Sequence, residues 1–272
     1  MNGKVFIEQL KQSWKQALYW GIGVGFLTFF MSIVVEDPAV LEGYSNLIGA
    51  FPPAILSAFG VSDAALLTTA EGFIVFAGFT YGSIILSVFG VLAGLNIINN
   101  DEDSGMMNMI LALPTPRWQV VVERFLAYIV IVFIILLLLF AGVLLGTIIF
   151  SLDIDLMLMF MGSMNLMPMI LAIIAMTALF SGLFSNRMIV TGLSATFVLV
   201  SYVINTLVGA INVEDVPFAD IIGKISIYNY VNSEGIIINQ GLSIANIAIL
   251  LAIATVAIAI TVYAFENRDI SG

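Results

Sequence analysis

Asp101, Glu102 and Asp103 stand in a row ahead of Ser104, in the stretch NNDEDSGMMNMILALPTPRW that runs from Asn99 to Trp118. Acids at the head of a helix meet its unpaired N–H groups and the positive end of its dipole. Met106, Met109, Ile110 and Leu113 then recur at the spacing of one helical face. Pro114 ends the helix, Thr115 can cap the next one, and Pro116 suits a first turn. Arg117 and Trp118 are of the types that anchor a span at the membrane interface. The stretch predicts a helix over about 103–113, outside the bilayer, with one exposed apolar face. Headgroups or a soluble partner could cover that face; otherwise the helix only turns the chain round.

Other reactive side chains are few. The chain has no Cys and no His, which excludes disulfides, zinc sites built on those residues, and Ser-His or Cys-His nucleophile pairs. Met157, Met159, Met161, Met164, Met167 and Met169 cluster together. Clustered thioethers suit Cu(I), and flexible Met suits a surface that meets varied apolar ligands. Without Cys or His in support, apolar filling is the reading, and no metal site is expected. Charged residues are absent from the long apolar runs, which argues against proton relays, ion-coupled carriers and an intramembrane acid–base enzyme. Coordination by backbone or hydroxyls stays open. Asn96, Asn165 and Asn205 lie in or near those runs. Such amides bond across helices or line a pathway, and Asn165 and Asn205 are the pathway candidates.

These groups must be held by membrane helices. The chain has 272 residues, 61% hydrophobic and 10% charged, with mean hydropathy +1.12. Soluble domains carry about 25% charged and about 45–50% apolar residues, so the solvent here is a bilayer. The formal charge of −10 argues against nucleic acid. A spanning helix needs about 20 apolar residues. Six stretches qualify: 17–35, 72–98, 125–150, 165–184, 188–211 and 245–265. In the fourth, Pro168 kinks the helix or marks its start. Residues 1–16 read as an interfacial helix, with Phe6, Leu10 and Trp14 on one side and Lys4, Glu8, Lys11 and Lys15 on the other. The first apolar run is too long for a signal peptide.

With six spans, Lys4, Lys11, Lys15, Arg117, Arg124, Arg187 and Arg268 share a side with both termini, and Lys224 alone lies opposite. Both termini are therefore expected in the cytoplasm. Outside, short helices are expected near 39–49 and 53–59, and 212–243 reads similarly, with turns at Pro217, Gly223, Gly235 and Gly241. Small-xxx-small pairs at Gly21/Gly25, Gly78/Gly82, Gly90/Gly94 and Gly142/Gly146 permit close helix contact. Most read as packing within the chain, with Gly21 and Gly25 the candidates for a dimer seam. The fold class is an all-α integral membrane protein, one transmembrane domain over 1–272.

The stretch NNDEDSGMMNMILALPTPRWQVVVERFLA resembles the coupling segment of permease subunits of type-2 ABC exporters. Glu102, Gly105, Pro114, Arg117, Phe125, Leu126 and Ala127 match the pattern; Met106 stands where Thr is usual and Arg124 where Lys is common. The ending YAFENRDI is similar to the close of these permeases, through Phe265, Arg268 and Asp269, with Ile270 for Leu. FPPAILSAFG with TTAEGFI resembles their first outer loop, and KISIYNY their stretch before the last span, without its Pro. The resemblance implies a pair of six-span subunits, homo- or heteromeric, each served by a cytoplasmic ATP-binding cassette subunit in a bacterial or archaeal plasma membrane. It implies that Glu102, Asp103, Gly105, Met106, Met109, Ile110, Leu113, Pro114 and Arg117 form the ATPase-coupling site. IIGKIS has Gly-Lys but lacks the rest of a phosphate loop, so ATP and Mg would be bound by the partner, with no cofactor in this chain. The substrate would be hydrophobic or amphipathic. The alternative is a stand-alone secondary transporter or channel.

Overall fold

Six helices are long and apolar enough to cross a membrane in the computed structural model, which describes residues 3–52, 55–56, 67–99, 116–211, 217–231, 233–239 and 241–267. These spans are Lys4–Glu36, Ala70–Leu95, Arg117–Phe150, Leu156–Leu183, Arg187–Ala210 and Ile244–Asn267, numbered one to six. No strand occurs among the described residues.

Spans one and three hold 33 and 34 residues. At 1.5 Å per residue each is about 50 Å long, against a hydrocarbon core of about 30 Å. Their first turns therefore overhang it. The interfacial helix expected over 1–16 is, from Lys4 onward, the beginning of span one and not an element of its own. Packing explains the difference. Gln9, Ser13, Ala17 and Gly21 recur every fourth residue and are buried, whereas Trp14 is half-exposed and points away. The polar Gln9 and Ser13 dock on the bundle: Gln9 Nε2 donates to Tyr128 Oη of span three at 3.1 Å and to Ser13 Oγ at 2.8 Å.

The two helices run parallel and close together. Thr28 Oγ1 donates to the Leu139 carbonyl at 2.9 Å. A Cβ added at Gly142 would fall on the Gly25 carbonyl, and one at Gly146 on the Ser32 side chain. Span four forms the centre of the bundle and contacts spans two, three, five and six. It starts at Leu156, well before the expected 165, because the Asp155 carboxylate accepts from the N–H groups of Met157 and Leu158. Pro168 lies inside this helix, as membrane helices tolerate. Span two contains a π-helical stretch, Val75–Thr80. Phe79 from that stretch is fully buried, its ring over Gly162 of span four.

Asp37 caps the short helix Pro38–Gly49, near the expected 39–49. The expected helix over 53–59 lies almost wholly outside the described residues. Between spans five and six come Pro217–Gly223, a 3-10 turn Ile227–Tyr230, and Ser233–Asn239. The turn re-enters the bundle. Ser226 Oγ donates to the Ser201 carbonyl of span five at 2.6 Å, and the Tyr228 and Ser87 hydroxyls are 2.6 Å apart. Ser201 lies about 14 Å inside the end of span five. Irregular backbone is tolerated at that depth where protein surrounds it, and both Ile227 and Tyr228 are buried.

Candidate functional site

Chargeable side chains converge at the end of the bundle that carries the 99–116 connection. Gln119 and Glu123 lie one turn apart at the head of span three, and both are buried. Gln119 Nε2 donates to Glu123 Oε1 at 2.7 Å. The same carboxylate accepts the backbone N–H groups of Gly3, Val5 and Phe6, each at 3.1 Å. Those are N–H groups that a helix start leaves unpaired. Span one has no capping side chain at its own Gly3, so a residue of span three caps it. Glu123 sits in the overhanging turns. Burial pushes its carboxyl up, and the hydrogen bonds from Gln119, Phe6, Gly3 and Val5 outweigh that, so it titrates below its ordinary range.

Arg124 is buried beside it. Its Nη1 donates to the Ile97 carbonyl at 2.9 Å and to the Asn96 carbonyl at 3.4 Å. Both carbonyls belong to the turn that closes span two, where a cation also meets the negative end of the helix dipole. Arg117 Nη1 donates to the Phe265 carbonyl at 3.2 Å, near the end of span six, and its guanidinium lies 5.8 Å from the Phe265 ring centre. Asn99 Nδ2 donates to the Ser185 carbonyl at 3.0 Å, in the turn between spans four and five.

The collar thus ties the head of span three to spans one, two and six, and the exit of span two to the turn between spans four and five. Its groups are engaged by backbone partners and form no acid–base pair aimed at an open cavity. No group of three His, Cys, Asp or Glu that could hold a metal occurs among the described residues. Met157 is exposed while Met159 and Met169 are buried. Met157, Met159 and Met161 succeed one another at about 200° round the helix, so their sulfurs do not converge.

Of the residues expected to couple to a motor, Glu102, Asp103, Gly105, Met106, Met109, Ile110, Leu113 and Pro114 lie outside the described residues. Arg117 is the member that the structure describes. The dimer-seam assignment of Gly21 and Gly25 is corrected. A Cβ at Gly21 would meet the Leu138 side chain, and one at Gly25 the Leu138 carbonyl oxygen. The close approach that these glycines allow is taken up by span three of the same chain. Asn165 is buried in span four and Asn205 half-buried in span five.

Sequence reading passed over Gln119, Glu123 and the capping role of Arg124. The signal was present: Gln119 and Glu123 are four apart beside Arg124, at the head of an otherwise apolar helix. Treating that head as loop hid it.

No curated protein matches the chain. A family model described as ABC-2 family transporter protein matches residues 4–270. The match opens on the first residue of span one and runs past the end of span six, taking in the whole collar, and the chain belongs to the ABC-2 family of transporter proteins.

Proposed function

We propose that this chain is the permease subunit of an ATP-driven exporter, moved by a separate ATP-binding subunit docked on the 103–113 segment. The family supports a membrane subunit of an ABC transporter. The observation that carries the finer reading is the collar. Residues on both sides of the 100–115 segment are tied to span ends, Asn99 to Ser185, Arg117 to Phe265 and Arg124 to Ile97. A push on the segment would therefore reach several spans at once. The Lys and Arg bias supports cytoplasmic termini, and the low charge of the spans supports a hydrophobic or amphipathic substrate. A second permease subunit, identical or related, would complete the pathway.

The test is purification of the tagged chain from its native membrane in mild detergent. A stoichiometric protein with a phosphate-binding loop, lost on Met109→Asp and Ile110→Asp, supports the reading. A chain that purifies alone, under conditions that keep known complexes intact, favours the stand-alone carrier.

A further inference from the structure

Span one carries a second stripe opposite its buried one. Lys4, Lys11 and Lys15 line its first turns, with Glu8 among them, and Leu18, Tyr19, Ile22 and Phe26 continue the same face. Lys4, Glu8, Lys11, Lys15, Tyr19, Ile22 and Phe26 are exposed. Three lysines against one acid make this face basic in a chain of net charge −10. Glu8 is also engaged by Gln12 Nε2 at 3.3 Å.

Directly above the lysines is a notch of about 360 Å³, lined by Tyr19, Trp20, Gly23, Val24 and Ile85. Gly23 forms its floor on the open side, since a Cβ there would meet no atom within 4 Å. Trp20 forms a fixed wall, its ring edge-on to Phe89 with centroids 5.8 Å apart. The vertical order is basic, then aromatic, then apolar. Lys15 to Gly23 spans about 12 Å along the axis. That is the order of a phospholipid at an interface, with phosphate, glycerol region and acyl chain in succession.

We propose that this face binds an anionic phospholipid. Its phosphate lies between Lys11 and Lys15, the Tyr19 hydroxyl reaches the glycerol region, and one acyl chain fills the notch beside Gly23. The charge selects the occupant: a zwitterionic lipid fits the notch equally well but gains little from the lysines. A second copy of this chain brings no concentrated negative charge to Lys11 and Lys15 unless an acidic loop meets them.

The experiment reconstitutes the full chain in vesicles of equal parts phosphatidylglycerol and phosphatidylcholine, re-extracts it in mild detergent, and quantifies the retained lipid by mass spectrometry. Wild type is expected to enrich phosphatidylglycerol by at least about fivefold, the worth of one lysine near an anionic surface. Lys11→Gln with Lys15→Gln abolishes the enrichment and leaves total retained lipid nearly unchanged. Gly23→Leu fills the notch and lowers retention of both lipids. These positions are exposed, and a thermal transition matching wild type confirms each fold; the lysine pair alone decides the matter if Gly23→Leu does not fold. Equal retention of the two lipids by wild type, or enrichment that survives the lysine substitutions, overturns the proposal. So does a Gly23→Leu chain that loses dimerisation while keeping its lipid, because the notch then belongs to a second copy.

Discussion

Arg124 Nη1 lies 2.9 Å from the Ile97 carbonyl oxygen, so the head of span three holds the last turn of span two. The chain between them leaves the bundle and returns, and the hydrogen bond closes that excursion at its base.

Arg124→Met keeps much of the side-chain bulk and removes the donors. Two carbonyls at the end of span two then lose a buried cationic partner. A hydrogen bond to a charged group is worth about 1.5–3 kcal/mol, so a loss of about 2 kcal/mol is expected. Thermal unfolding in detergent reads it. A midpoint equal to wild type would show that the tie is structurally idle.

Glu123→Ala strands three N–H groups at the start of span one. Loss of a cap costs about 0.5–2 kcal/mol, and here the N–H groups remain buried. Trypsin should cut at Lys4, Lys11 and Lys15 well before it does so in wild type, while Glu123→Gln, which keeps one acceptor oxygen, falls between. Because the folded carboxyl titrates below its usual 4.5, its contribution is complete above that pH and is lost as pH falls through the lowered value. Protection of the three lysines should therefore be flat across neutral pH. Protection that fades between pH 8 and 6 would contradict this assignment.

Gly142→Ala and Gly23→Ala make a matched pair. The first puts a methyl on the Gly25 carbonyl, and the second puts one in open space. Overpacking costs about 1–3 kcal/mol, so Gly142→Ala should lower the melting temperature clearly and Gly23→Ala should not. Equal behaviour of the two would mean that spans one and three are not in close contact along Gly25 and Gly142.

Tyr228→Phe and Ser87→Ala each remove one hydroxyl of a buried pair 2.6 Å apart. A net coupling of about 1 kcal/mol is expected from a double-mutant cycle on thermal stability. Strict additivity would dissolve the pair, and with it the anchor of the re-entrant turn.

The spans were legible because the bilayer dictates their length, and long apolar runs have few other uses. Their ends were less so. Arg117, Glu123 and Arg124 read as loop charges, yet each finds its partner on another helix, so span three begins eight residues sooner than its apolar run. Asp155 had the form of a cap, but Pro168 drew the expected boundary inward. The spacing of Gly21 and Gly25 announced a close contact; the identity of the neighbour, Leu138, depends on tertiary packing that no local pattern encodes. The π-helical VFAGFT carries no mark that separates it from ordinary helix.

That wide stretch gives span two an extra residue's worth of rotation. Gly78 faces Thr28 of span one, while Gly90 faces Ile173 and Gly94 faces Thr177, both on span four. One continuous helix therefore serves two neighbours on differently turned faces. Removing a single residue between Val75 and Thr80 would restore a regular spiral and swing everything after it by about 100°. Gly90 and Gly94 would leave span four, and bulkier side chains would arrive in their place. The stretch acts as a phase-setting insertion, a small length difference on which the packing of the whole lower helix depends.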